Sequence, residues 1–155
     1  MKNVEKIDIA VEQLQDALTA YFDRRYFSAM VLAGAAEQLF AGYLHKHKIT
    51  PTWQQTRSAA AKIARALSPG SATNISASER SIGDLMNFAY NNAKHAGSSD
   101  HTIAIGPKDE AKAVIDRAVS NFDTLYAFPG YNLPDIPLAQ KFVADSAREI
   151  SSDDA

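Results

Sequence analysis

The sequence has no cysteine, which excludes disulfides and thiol chemistry and is compatible with a reducing cytoplasm. It has no surplus of one charge either. Its 16 basic and 18 acidic residues leave a formal net charge of −2, which argues against a nucleic-acid binder of the basic-patch kind, though a local patch survives in such an average. The 7 glycines are scattered, so no phosphate-cradling glycine loop exists. The longest apolar stretch is interrupted by Glu37 and Gln38 and falls short of the ~20 residues that span a bilayer. The N-terminal MKNVEKIDIAVEQL is amphipathic and acidic, unlike a secretory signal. There is no internal repeat, no low-complexity tract and no convincing strand run. A cytoplasmic protein without a membrane partner is expected.

What is present is helical periodicity over 155 residues, 46% of them hydrophobic, enough for one domain with a substantial core. Residues 26–45, YFSAMVLAGAAEQLFAGYLH, are apolar on nearly every side of a helix, the pattern of a helix packed all round. Before them, Val4, Ile7, Val11, Leu14, Leu18 and Tyr21 recur at threes and fours, giving a helix with one buried stripe. The polar break Asp23–Arg25 is short enough to force an antiparallel hairpin.

Thr50 and Pro51 punctuate, with Thr50 the expected cap of a third helix over 52–67 whose stripe is Trp53, Ala59, Ala60, Ile63, Ala64 and Leu67. Residues 68–78 read as an exposed loop. A fourth helix starts at Ser78-Glu79, buries Ile82, Leu85, Met86, Ala89 and Ala93, and stops at Gly97. Thr102–Ile105 reads as a short extended piece. The final long helix opens at Pro107 with Asp109 and Glu110, and its stripe is Ala111, Val114, Ile115, Ala118, Phe122, Leu125 and Tyr126. The expected fold is all-α: an antiparallel helical bundle of four to five helices over residues 1–130. Residues 131–155 form a peripheral C-terminal tail with a short helix at 138–149 and a mobile acidic end.

Chemistry concentrates in Asn87–Gly97, NFAYNNAKHAG. Asp84, Phe88, Asn91 and His95 follow one another by four, three and four residues and share the helix face opposite the core stripe. Such a face suits a site or a partner interface. The plainer alternative is a lone exposed aromatic and a histidine favourable to the helix C-terminus. Glu37, in the apolar helix, needs a partner because an isolated buried carboxylate is too costly; Lys94 or His95 is the expected one. His45 and His47 diverge around their helix and make no chelating pair, and no metal site is expected.

At these residues the chain resembles the HEPN domains. The likeness lies in the hairpin of two long helices, the LAGAAEQLFAGYL run of the second, the NNAKHAG end of a later helix, and a final helix carrying VIDRAVSNFDTLY. It covers about residues 4–128. The resemblance implies a small helical bundle, a homodimer, no cofactor, and in many members metal-independent RNA cleavage. The family motif is an Arg, four to six residues, then a His, often with Asn directly after the Arg. Two such motifs face each other across the dimer.

The motif His matches His95 and the Asn matches Asn91, but the Arg position holds Tyr90, or Phe88 or Ala89 at the longer spacings. The cation is absent at each spacing. A tyrosine two residues past the His in toxin members is replaced by Gly97. Histidine can supply acid and base, yet charge developing on phosphorus calls for a fixed cation. Lys94 points about 100° away from His95, and Arg80, on its face, is roughly 22 Å along the helix, within reach only from a second subunit. Two functional readings follow. One is a non-catalytic or degenerate module that binds RNA, a nucleotide or a partner protein through Asp84, Phe88, Tyr90, Asn91, Lys94 and His95, with Glu37 as structural support. The other is a metal-independent endoribonuclease of toxin or phage-defence type, with His95 and Asn91 in a rearranged composite site at the dimer interface.

Overall fold

The structure is a computed structural model that describes residues 3–67, 79–94 and 102–153. Among the described residues there are seven helices and no strand. The protein is an all-α bundle. Helices α1 (Lys6–Phe22) and α2 (Tyr26–Lys46) form the hairpin, closed by Arg24 in a left-handed conformation at φ 61°. Ala10, Ala17 and Ala20 of α1 and Ala29, Ala33 and Ala36 of α2 are buried, so the two backbones approach closely. Leu14, Leu18, Met30, Phe40 and Leu44 fill the space between them and the rest of the core, each contributing about 1.5–3 kcal/mol on burial.

Helix α6 (Pro107–Tyr126) begins with proline and acids in its first turn, as its sequence dictates. It lies on the other side of α2 and runs in the same direction: Glu37 meets Arg117, Phe40 meets Phe122, and His47 stacks on Phe128. Its expected stripe is buried except for Tyr126, whose hydroxyl reaches out to donate to Asp135 at 2.6 Å. α2 is the one helix among the described residues with the length and hydropathy to cross a membrane. Here it is packed between α1 and α6 and carries a buried ion pair, the environment of a core helix.

The C-terminal residues are not peripheral. Helix α7 (Pro137–Asp153) exceeds the expected 138–149 and lies on α1, with its Ala139 and Phe142, and Ile136 just before it, buried in the same core. Phe142 packs edge-on to Tyr21 at 5.3 Å. Farther along, Glu149 joins Lys108 and Lys112 of α6.

Helices α3 (Thr52–Leu67), α4 (Glu79–Met86) and α5 (Phe88–Lys94) form a side layer over α2 and α6. The first turn of α3 is held by Asn121, fully buried, whose Oδ1 accepts the Thr52 N–H at 2.9 Å; the capping comes from α6 and not from Thr50. Only Ala61 of α3 is buried, and the expected core residues Ile63 and Leu67 are exposed. α4 and α5 are two pieces of nearly one helix, parted at Asn87 but joined by the bonds Asn87 N–H to Gly83 and Asn91 N–H to Asn87. They turn inward Gly83, Ala89 and Tyr90, leaving Leu85 and Ala93 outside. The reason is space: Trp53 leans on Gly83, and Tyr90 occupies a seat over Gly34 that any β-carbon would close. The Thr102–Ile105 stretch is irregular.

Candidate functional site

The side layer meets α2 along a cleft of about 240 Å³. One wall is α2, which presents Glu37, Gln38, Ala41 and His45 at helical intervals; the opposite wall is Trp53 and Gln54 of α3 with Asn87 and Tyr90. The floor is ionic. Arg117 Nε donates to Glu37 Oε1 at 2.9 Å and Arg117 Nη2 to Asn87 Oδ1 at 3.4 Å, with Arg117 and Glu37 each 7% exposed. Burial pushes the Glu37 carboxyl above the usual glutamate range, and the hydrogen bond and charge of Arg117 pull it back.

This corrects the expected pairing of Glu37. Its partner is Arg117 of α6, while Lys94 places its ammonium over the Tyr90 ring, 3.9 Å from the centroid. Tyr90 is likewise a core residue, 5% exposed, and offers the cleft only its hydroxyl side, where Gln38 Nε2 donates to it at 3.4 Å. Near the rim, Gln54 Nε2 and His45 Nε2 lie 3.1 Å apart. The Trp53 indole N–H is buried in the wall without a hydrogen-bond partner, and the Arg57 guanidinium lies 4.5 Å from the Trp53 ring centroid. The cleft thus pairs aromatic surface with amide, imidazole and phenol groups around a neutralised ion pair. It can seat a flat polar molecule and carries no net charge of its own.

Trp53 and Asn87 also border a neighbouring groove of about 400 Å³ that contains Arg80, Asp84 and Asn91. Asp84, Phe88 and Asn91 are all exposed, Phe88 by half. Arg57, on the groove's edge, is tied to Glu79 at 3.2 Å. His95 and Gly97 lie outside the described residues. Arg25 pairs with Asp23 at the α1–α2 turn, and Arg24 borders a separate cleft beside α7. Among the described residues no cluster of His, Asp or Glu could hold a metal ion.

Arg117 is the residue that sequence reasoning passed over. Its signal was present: position 117 falls on the stripe Val114–Ala118–Phe122, where a cation has to be paired. Asn121 follows on the same stripe.

No protein-family model, no curated protein and no solved structure matches the chain.

Proposed function

We propose that this protein is a HEPN-like module that binds a nucleobase-bearing ligand, RNA or a nucleotide, and leaves it uncut. The observation that carries the reading is the neutralisation of Arg117. It is a buried, fixed cation beside the cleft, its charge is compensated by Glu37, and two of its five N–H donors are given to Glu37 and Asn87. A guanidinium so engaged positions helices and is not available to stabilise a pentacovalent phosphate. The cleft offers what a base requires, a Trp53 wall and the side-chain amides of Gln38 and Gln54 within one concave surface. Arg80 in the adjoining groove would lie on the phosphate side of such a ligand.

The likeness to HEPN domains rests on the α1–α2 hairpin, the core position of the LAGAAEQLFAGYL run and the NNAKHAG segment, whose residues 91–94 end α5. With it come a cytoplasmic location and a homodimeric state. The test is incubation of purified protein with labelled RNA in EDTA, wild type beside His95→Ala. Intact RNA in both supports the binding module. Cleavage by wild type alone would establish the ribonuclease reading in its place.

A further inference from the structure

The cleft between α2 and the side layer has a carboxylate in its lining. Glu37 and Gln38 of α2 stand in one wall, with Trp53 and Gln54 of α3 in the other. Glu37 is nearly shut off from bulk water, and Arg117 Nε donates to its Oε1 at 2.9 Å. An ionised carboxylate has about four lone-pair sites and no proton to give. Arg117 takes one of them, and those left over can only accept.

The other polar groups of the cleft can present either polarity. Gln38 Nε2 donates to the Tyr90 hydroxyl at 3.4 Å, which leaves that hydroxyl its own proton to donate. Gln54 Nε2 lies 3.1 Å from His45 Nε2, and the amide keeps its carbonyl oxygen and a second N–H. Glu37 is therefore the group of fixed polarity, and it is the one that discriminates between ligands. Bases differ at the edge that would meet it. Guanine sets two donors next to each other, the ring N1–H and the exocyclic amine, and a carboxylate accepts both in one bidentate contact. Adenine and cytosine each place an acceptor ring nitrogen beside their amine. Against Glu37 that nitrogen would meet a lone pair with no proton between them, and the desolvated pair would go unsatisfied. Uracil has one donor between two carbonyl oxygens.

We propose that the cleft selects guanine, the Glu37 carboxylate accepting from N1–H and from the exocyclic amine while Trp53 stacks on the ring. The assignment names the ligand of the base-binding cleft and rests on that reading. A Glu37 whose whole role was to hold Arg117 would give one purine no advantage over another. Calorimetric titration of the protein in EDTA with four nucleotides tests it. Guanosine monophosphate is expected to bind roughly tenfold or more tighter than adenosine monophosphate. Inosine monophosphate, which keeps N1–H and lacks the amine, falls between them. N1-methylguanosine monophosphate, which lacks N1–H, binds no better than the adenine nucleotide. Glu37→Gln, checked for wild-type circular dichroism, brings the guanine and adenine nucleotides to within about threefold, because an amide offers both a donor and an acceptor. Should that variant not fold, the four nucleotides on wild type decide alone. Equal affinity for the guanine and adenine nucleotides, undiminished binding of the N1-methyl derivative, or a folded Glu37→Gln with the full preference overturns the guanine assignment and leaves the base-binding reading in place. No binding of any of the four overturns both.

Discussion

Tyr90 occupies space that exists only because residue 34 is glycine: a β-carbon built on Gly34 overlaps the Tyr90 ring. That contact sets the rotation of α4 and α5 about their axis and so decides which of their side chains reach the cleft. Gly34→Ala is expected to push Tyr90 outward and to destabilise the fold by about 1–3 kcal/mol, read as a lower urea midpoint. Tyr90→Leu in the Gly34→Ala background recovers part of the loss, because the smaller side chain relieves the overlap.

The Glu37–Arg117 pair is the second determinant of the site. Arg117→Ala leaves a buried carboxylate without its counter-ion and is expected to lower stability by about 3–5 kcal/mol. Replacing both residues, Glu37→Leu with Arg117→Met, costs much less than Arg117→Ala alone, because no unpaired charge remains. Denaturant unfolding of Glu37→Leu, Arg117→Met and the double variant gives the coupling.

Glu37 also fixes a pH dependence of defined sign. Its carboxyl titrates above the ordinary range in the folded state, chiefly through desolvation. Between the unfolded value of about 4.3 and the higher folded one, the folded protein holds more of this proton, so this group's contribution to stability falls as pH rises through the window. Glu149 acts oppositely. Hydrogen bonds from Lys112 and Lys108 hold its carboxyl below the usual range, so its contribution is present above the unfolded value and fades as pH falls through the folded one. Stability measured from pH 4 to 7 should show the deficit of Glu37→Gln, which leaves Arg117 without its counter-ion, shrinking as pH rises. The same scan on Glu149→Gln should show a deficit that shrinks toward acid.

The last helix belongs to the core. Phe142→Ala is expected to cost about 3–5 kcal/mol, since the ring is 2% exposed against Tyr21. A change in thermal midpoint close to zero would mean that α7 is not docked on α1.

The long helices were legible because periodicity reports burial directly. Ile7, Val11, Leu14 and Leu18 of α1, and Val114, Ile115, Ala118, Phe122 and Leu125 of α6, are buried where their spacing puts them. The side layer was not legible. Ile63, Leu67 and Leu85 look like core in a pattern and lie outside, because the side layer is oriented by a pair of glycine seats, Gly34 of α2 under Tyr90 of α5 and Gly83 of α4 under Trp53 of α3. A glycine in a sequence announces room without saying which side chain takes it. Glu37 was recognisably in need of a partner, but the partner came from α6, distant in sequence and disguised as a break in an apolar stripe. His95, the residue on which the motif turns, lies outside the described residues.

Trp53 is the chain's single tryptophan and stands between the cleft and the adjoining groove, so its emission reports on that region. The most direct measurement is a fluorescence titration of the protein in EDTA with adenosine monophosphate and then with a short single-stranded RNA, followed by a check that the RNA is intact. A saturable change in emission, about tenfold weaker in Gln54→Ala and accompanied by uncut RNA, is the expected result. An emission that does not respond to either ligand, or RNA that is cleaved, contradicts the account.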